Sequence, residues 1–532
     1  MSPLTSVPAS KSSVHLSSPT LVKSRLPKIL FVLAAVLAVV LSLAVILCVK
    51  FWPFSQKAVI QDLAEAADSS VTIRSYHPTY FPVPGCVLEG VEFRHGSDRF
   101  KLITIDRLRI LGSYPGILHN HVPRINVDGA QVFIPPLGSN TQFHSQHSNL
   151  YIGEIAVNGG AVEYISDDPQ AKPLRFDVHE GLLRDLRWGT PILYRLKFHN
   201  PEPPGELSVT GKFGAWADGH PEDTPMSGEY TFEHADLGVF GGIAGILASR
   251  GKFDGVLKHI NITGTTDTPD FRVTSSTHRV RLQTHFDAYV DAMHGDTYLN
   301  RVEAHFGRTT VLANGSVAGS KGSKGKTAKL QLAAPHGRIE DILGLFITDP
   351  RSPMSGDLSL MVGAELPPGD DRFLDKVRLN GAFGIDDGSF SKPETQKDVN
   401  ALSAGARGQS KEGKEDPETV LTNLKGRVEL ARGVANFSDL DFGIPGAHAK
   451  MHGTFNIVNH KIDLHGQMWV DTKISKTTSG MKSFLLKVMD PIFKKKKKGE
   501  IVPVHIEGTY EKPECGLDLT SNGGPKNQQS PK

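Results

Sequence analysis

Histidine, with 22 residues, is the first place to look for metal ligation or proton transfer, and three pairs lie close in the chain: His119 with His121, His144 with His147, and His448 with His452. A helical zinc centre of the zincin type needs two histidines four residues apart with a glutamate beside the first, so that both imidazoles share one face. None of the three pairs carries that signature. On a strand, His448 and His452 would stand ~13 Å apart, too far for one ion. The histidines are therefore expected on solvated strand faces, and neither a metal centre nor a cofactor is expected.

Phosphate and acyl-transfer chemistry have no better support. The basic segment GSKGSKGKT, residues 319–327, resembles a phosphate-binding loop, but that motif has four residues between its glycines, whereas five separate Gly319 from Gly325. A flexible basic connection is the expectation. No Gly-x-Ser-x-Gly elbow occurs, and the three cysteines, Cys48, Cys86 and Cys515, supply neither a four-cysteine zinc site nor a disulfide framework. Without a nucleophile and base in a recognisable pattern, the chain is not expected to be an enzyme. The run Lys494, Lys495, Lys496, Lys497 and Lys498 follows a short amphipathic helical pattern at Met481–Met489. Such a run either solvates a loop or draws anionic headgroups, at roughly 1 kcal/mol per basic residue near a charged surface.

What positions these groups is a membrane anchor and a large β-rich body. Ile29–Val49 holds no charge and is bracketed by Lys28 and Lys50. At ~1.5 Å per residue its 21 residues span ~31 Å, the thickness of a bilayer core. A cleaved signal peptide fits less well, since its apolar part is usually ~7–15 residues and ends in small side chains. Leu47 before Cys48 also disfavours lipoprotein processing. Lys11, Lys23, Arg25 and Lys28 precede the span and Asp62, Glu65 and Asp68 follow it, so residues 1–28 are expected in the cytoplasm and the body across the membrane. The formal charge of +2 is uneven: without the four basic residues of 1–28 and the five lysines, the remaining 499 residues carry −7. That argues against a nucleic-acid partner.

After a helical pattern at Ala58–Ala67, the dominant period is two. Val280, Leu282, Phe286 and Val290 alternate with polar residues, as do Ile462, Leu464, Met468 and Val470. Shorter alternations carry Leu358 and Leu360, then Val377, Leu379, Phe383 and Ile385. These are strands with one wet and one dry face. Turns at Asp386-Asp387-Gly388 and Arg432-Gly433 suggest a broad antiparallel sheet. Helices are too few to cover its apolar face, so the sheet is expected to fold over, either dry as a closed sandwich or open and filled by lipid. The fourteen residues just named are candidates for an apolar groove and equally for a sandwich core. About 30 strands at ~4.8 Å would extend ~140 Å. Two echoes suggest repetition: Val127–Val132 with Val157–Val162, and Gly264-Thr265 plus Pro269-Asp270 with Gly508-Thr509 plus Pro513-Glu514, each read as a strand exit and a proline-led restart. Linkers are expected at Gly319–Lys326 and Lys392–Thr419.

Several segments resemble AsmA-like proteins. The N-terminal likeness lies in the basic start, the single anchor, Phe81-Pro82-Val83-Pro84-Gly85 and INVDGAQVFIP at Ile125–Pro135. The stronger likeness is to the AsmA-like C-terminal region, in GVLKHINITGTTDTPDF (Gly255–Phe271), HGDTYL (His294–Leu299), Leu424–Phe455 and Thr477–Leu517. The resemblance implies an elongated sheet curled into an apolar groove, held in the inner membrane of a bacterium with two membranes. It also implies a role in outer-membrane biogenesis and kinship with bridge-like lipid-transfer proteins.

The resulting expectation is a mostly β, single-pass inner-membrane protein with a periplasmic body that carries or shelters phospholipid. Its expected divisions are a cytoplasmic basic tail (1–28), the transmembrane helix (29–49), an N-terminal β part (50–254), an AsmA-like C-terminal region (255–519) and a disordered tail (520–532). Expected partners are phospholipid, the inner membrane and outer-membrane or envelope proteins. The alternative is a dry scaffold for outer-membrane protein assembly that moves no lipid.

Overall fold

The computed structural model describes residues 52–67, 69–94, 101–134, 149–165, 173–217, 219–319, 325–348, 351–369, 371–390, 422–444, 447–470, 501–509 and 512–517. The anchor segment 29–49, the amphipathic stretch 481–489, the lysines 494–498 and the Lys392–Thr419 linker lie outside them. Among the described residues no helix is long and apolar enough to cross a membrane. The sheet belongs to the compact unit Ile60–Lys532.

Helix α1, Gln56–Ala67, fits the helical pattern of the sequence, and Ser69 finishes it by donating its backbone N–H to Ala64 and its hydroxyl to the Ala67 carbonyl. The first strands are β1 (Ser70–Thr72), β2 (Ser75–Thr79), β3 (Gly85–Arg94) and β4 (Lys101–Leu111), then helix α2 (Tyr114–Leu118), β5 (His121–Ile134) and β6 (Tyr151–Tyr164). Next come β7 (Leu174–Leu186), β8 (Ile192–Pro201), β9 (Pro204–Phe213), β10 (Pro225–Asp236), the two-residue β11 (Ile243–Ala244), β12 (Ile246–Val256) and β13 (His259–Val273). They continue with β14 (Val280–Asp291), β15 (Asp296–Phe306), β16 (Thr309–Gly319), β17 (Lys326–Arg338), helix α3 (Ile339–Gly344), β18 (Met354–Leu366), helix α4 (Phe373–Lys376) and β19 (Arg378–Phe390). The last are β20 (Thr422–Ala431), β21 (Val434–Ile444), β22 (Ala447–Asn456), β23 (Lys461–Val470), β24 (Ile501–Thr509) and β25 (Lys512–Leu517).

Among the described residues these 25 strands form one open sheet. Strands β1 and β2 pair end to end with β3, and β11 extends the line of β12 against β13, which leaves 23 positions across the sheet. At ~4.8 Å per step that is a path of ~105 Å along the hydrogen-bonding direction, shorter than the sequence estimate. Almost every chain neighbour is a sheet neighbour, so the topology is a meander.

Four local expectations are corrected. The sheet is mixed, because β5 and β6 pair in parallel. Residues 135–150 between them are long enough for the crossover that parallel neighbours need. This junction also explains the first echo: Asp128 faces Asn158, Ala130 faces Gly160 and Val132 faces Val162, with Gly129 and Gly159 both at φ +67°. Asp386-Asp387-Gly388 is no turn. It lies inside β19, where the register against β18 slips between Ser355 and Asp357 and Asp387 takes φ +52°. A bulge uses the same residues as a turn, so composition alone does not separate the two. The Gly264–Asp270 echo is likewise continuous strand with a slip between Thr268 and Phe271, while its counterpart near Gly508 does end β24. The ends of the Gly319–Lys326 linker are strand residues of β16 and β17. Arg432 and Gly433, at φ +51° and +72°, do form the two-residue turn between β20 and β21.

Candidate functional site

The register builds one uninterrupted apolar row across the sheet. It starts with Tyr76, Leu88, Leu108, Val127, Val157 and Gly181 on β2 to β7. It continues through Leu196, Val209, Tyr230, Gly251, Gly264 and Phe286 on β8 to β14. Val302, Ala313, Leu332, Val362, Gly381 and Val428 carry it from β15 to β20. Phe437, Gly453, Leu464, Ile506 and Cys515 complete it on β21 to β25. All 23 positions are filled, and none holds a charged residue. One residue along the chain, the opposite face reads Lys197, Ser208, Thr231, Arg250, Thr265, His285 and Glu303 across β8 to β15. A slip of one residue anywhere would swap these faces, so the pattern fixes the register.

Burial along the apolar face is incomplete. Leu88 and Val91 are fully buried near the first strands. In the middle, Ile192, Tyr194, Leu196 and Phe198 on β8 and Val280, Leu282, Thr284 and Phe286 on β14 are only partly buried, while the residues between them in the chain are exposed. A second packed layer would bury such residues fully. Glycines flatten this central stretch. A Cβ on Gly264 would stand 2.9 Å from the Phe286 ring and 3.0 Å from the Tyr230 hydroxyl, and one on Gly228 would stand 2.7 Å from the Phe253 ring. The rings lie down over neighbouring glycines instead of standing up from the sheet. Two polar groups on this face are paired: Thr266 and Thr284 hydroxyls are 2.7 Å apart, and Ser249, which donates to the Thr265 carbonyl, is 3.1 Å from the Tyr230 hydroxyl. Thr268, opposite Leu282, is fully buried and its hydroxyl has no partner among the described residues.

Short helices close the two ends of the later strands. At one end, Ile339, Ile342 and Leu343 of α3 pack with Leu358, Leu360 and Ile385 of the apolar face. Its acidic side is tied to the β15–β16 turn, where Asp341 Oδ2 accepts from the Arg308 N–H at 2.7 Å and the Thr309 hydroxyl at 2.8 Å. Glu340 accepts from Arg308 and Arg338. Burial would raise the Glu340 pKa, but its own backbone N–H, Arg338 and the Gly356 N–H outweigh it and hold the carboxyl below its usual range. At the other end, Phe373 of α4 packs with Val377, Leu430 and Ala435.

The candidates from the sequence fall on this apolar face. Val280, Leu282, Phe286 and Val290 share the β14 parity, and Leu358 and Leu360 face Ile385 and Phe383. Leu379 faces Leu430, and Val377 precedes β19 in the same phase. Ile462 faces Phe455, Leu464 faces Gly453, Met468 faces Ala449 and Val470 is in register with Ala447. The glycine and aromatic pattern was missed: its signal, Gly251, Gly264 and Tyr230, is visible only once the strands are paired.

A concavity of about 1070 Å³ opens elsewhere, on the wet face of β9 to β15 beside Thr210, Glu229, Arg250, Thr263, His285 and Glu303. A twisted sheet is saddle-shaped, so each face is concave along one diagonal. Charges here neutralise one another, with Lys252 on Glu229 at 2.8 Å and Arg301 and His305 both 3.3 Å from Glu303. The basin therefore has no field of one sign to attract a charged ligand, and the apolar face is the better candidate site. No family model matches the chain, and no curated protein or solved structure matches it.

Proposed function

We propose that this protein is a single-pass inner-membrane protein whose periplasmic body shelters phospholipid acyl chains along the apolar face of its sheet during outer-membrane biogenesis. The observation that carries the reading is the 23-position row without a charge, partly uncovered at its centre. An acyl chain laid on such a face gains ~0.8 kcal/mol per buried CH₂ with no specific polar site, so lipid can be held at any point along the row. Flat rings over glycines leave depth for the chain, and α3 and α4 supply walls at the ends of β17 to β21. Headgroups stay at the solvated rim. The uncharged segment 29–49 supplies the anchor, and the sequence likeness to AsmA-like proteins supplies the compartment. Phe81 and Leu118, 84% and 82% exposed beside Tyr80 and Tyr114, give the early end of the sheet an apolar tip suited to a bilayer surface.

The test is lipid extraction from the full chain purified in mild detergent, followed by mass spectrometry. Stoichiometric phospholipid is the expected result. A lipid-free wild type with the fold intact sinks the proposal and favours the dry scaffold.

A further inference from the structure

The wet face near the last strands holds a group of side chains that no close spacing in the sequence announces. His452, His465 and His505 form one cross-strand row on β22, β23 and β24, and Asp463 faces Glu507 in the next row of that face. His465 Nε2 is 2.9 Å from Asp463 Oδ1, and the His465 and His505 ring centroids are 6.2 Å apart. One ligand atom from each of Asp463, His465 and Glu507 lies within 4.8 Å of the other two. Gly516 leaves the room: a Cβ there would stand 2.6 Å from the His505 ring.

We propose that Asp463, His465 and Glu507 bind a divalent transition metal of the zinc class, with His505, whose ring centroid lies 6.2 Å from that of His465, turning in as the fourth ligand. Two imidazoles and two carboxylates form a mixed nitrogen and oxygen set that suits zinc or cobalt; calcium and magnesium take mostly oxygen. Tetrahedral bonds of ~2.1 Å need donors ~3.4 Å apart, so the Asp463, His465 and Glu507 ligand atoms, within 4.8 Å of one another, must close by up to about 1.4 Å, and the His505 ring must rotate towards them. These side chains are part-exposed and not locked in a core, so small χ changes supply that movement. A hydrogen bond inside β23 explains His465 with Asp463, but not the stacking of His505 and Glu507 beside them. Among the described residues the other cluster of this kind, His220 with Glu222 and Asp223, already has a cation, since Lys258 Nζ sits 2.5 Å from Asp223. In the chain, β23 and β24 are separated by residues 471–500. A metal shared by both would staple the sheet across that separation.

The experiment titrates the full chain, without a histidine tag and stripped of metal, with Co²⁺, followed by competition with Zn²⁺. One Co²⁺ per chain with the intense visible bands of a tetrahedral site is expected. His465→Gln combined with His505→Gln should weaken binding by at least about tenfold, and Glu507→Gln alone should also weaken it, while His220→Gln should not. Far-UV circular dichroism checks that the variants keep the sheet. Binding unchanged in both the double variant and Glu507→Gln, loss confined to His220→Gln, or no Co²⁺ uptake by the wild type at micromolar metal would each overturn the proposal.

Discussion

Phe286→Asp puts a carboxylate at the middle of the apolar row, between Gly264 and Val302. In the empty protein the cost is small. Phe286 is only partly buried, so losing its ring forfeits about half of the ~1.5–3 kcal/mol of a fully buried aromatic, and the carboxylate can face water. With an acyl chain across the position, that water is gone. The aspartate must then sit ionised against hydrocarbon or take up a proton, and protonation at pH 7 costs ~4 kcal/mol, from 1.36 kcal/mol per unit over roughly three units. Added to the lost ring contact, this exceeds a ~1000-fold reduction in occupancy at that strand. Lipid co-purifying with the full-length variant should fall sharply, while its melting temperature moves by only a few degrees. His285→Asp, one residue away on the wet face, should leave the lipid unchanged. Equal lipid in Phe286→Asp and wild type, or equal loss in both variants, would refute the reasoning, because the effect must depend on which face carries the charge.

Other outcomes follow from local chemistry. Gly251→Leu sets its Cβ against the Thr263 carbonyl and the Tyr230 ring, so it should cost ~1–3 kcal/mol and lower the melting temperature. Burial pushes the Cys86 thiol up to about 12, so in a Cys48→Ser, Cys515→Ser background it should resist maleimide at pH 8 until the protein is denatured. Because the folded thiol resists ionisation and the unfolded one does not, its contribution is complete below pH 9 and declines as pH rises from there towards about 12. Glu340 has the opposite sign. Its folded pKa is depressed, so its contribution is present above its ordinary 4.5 and lost as pH falls through the folded value. Glu340→Gln should therefore lower the melting temperature at pH 7, and the gap to wild type should close in acid; a gap that widens in acid would contradict this.

The sheet was legible because strand alternation has a period of two and needs only local sequence. Phe286 and Leu464 declare their face through their immediate neighbours. The parallel β5–β6 junction was not legible, since the alternation within a strand is the same whether its neighbour runs parallel or antiparallel. The bulge at Asp387 reads like a turn because both use residues tolerant of positive φ. His465 and His505 are forty positions apart in the chain, and only the β23–β24 register makes them neighbours. The glycine and aromatic floor is hidden in the same way, because each ring covers a glycine on another strand.

Site-specific photocrosslinking in living cells tests the central claim most directly. A crosslinking residue at Leu196, Phe286, Leu332 or Leu464 faces the apolar row, and one at Lys197, Arg250 or His285 faces the other side. Adducts of phospholipid mass at the first set and none at the second are the predicted result. Protein adducts alone, or lipid captured equally from both faces, would contradict the account.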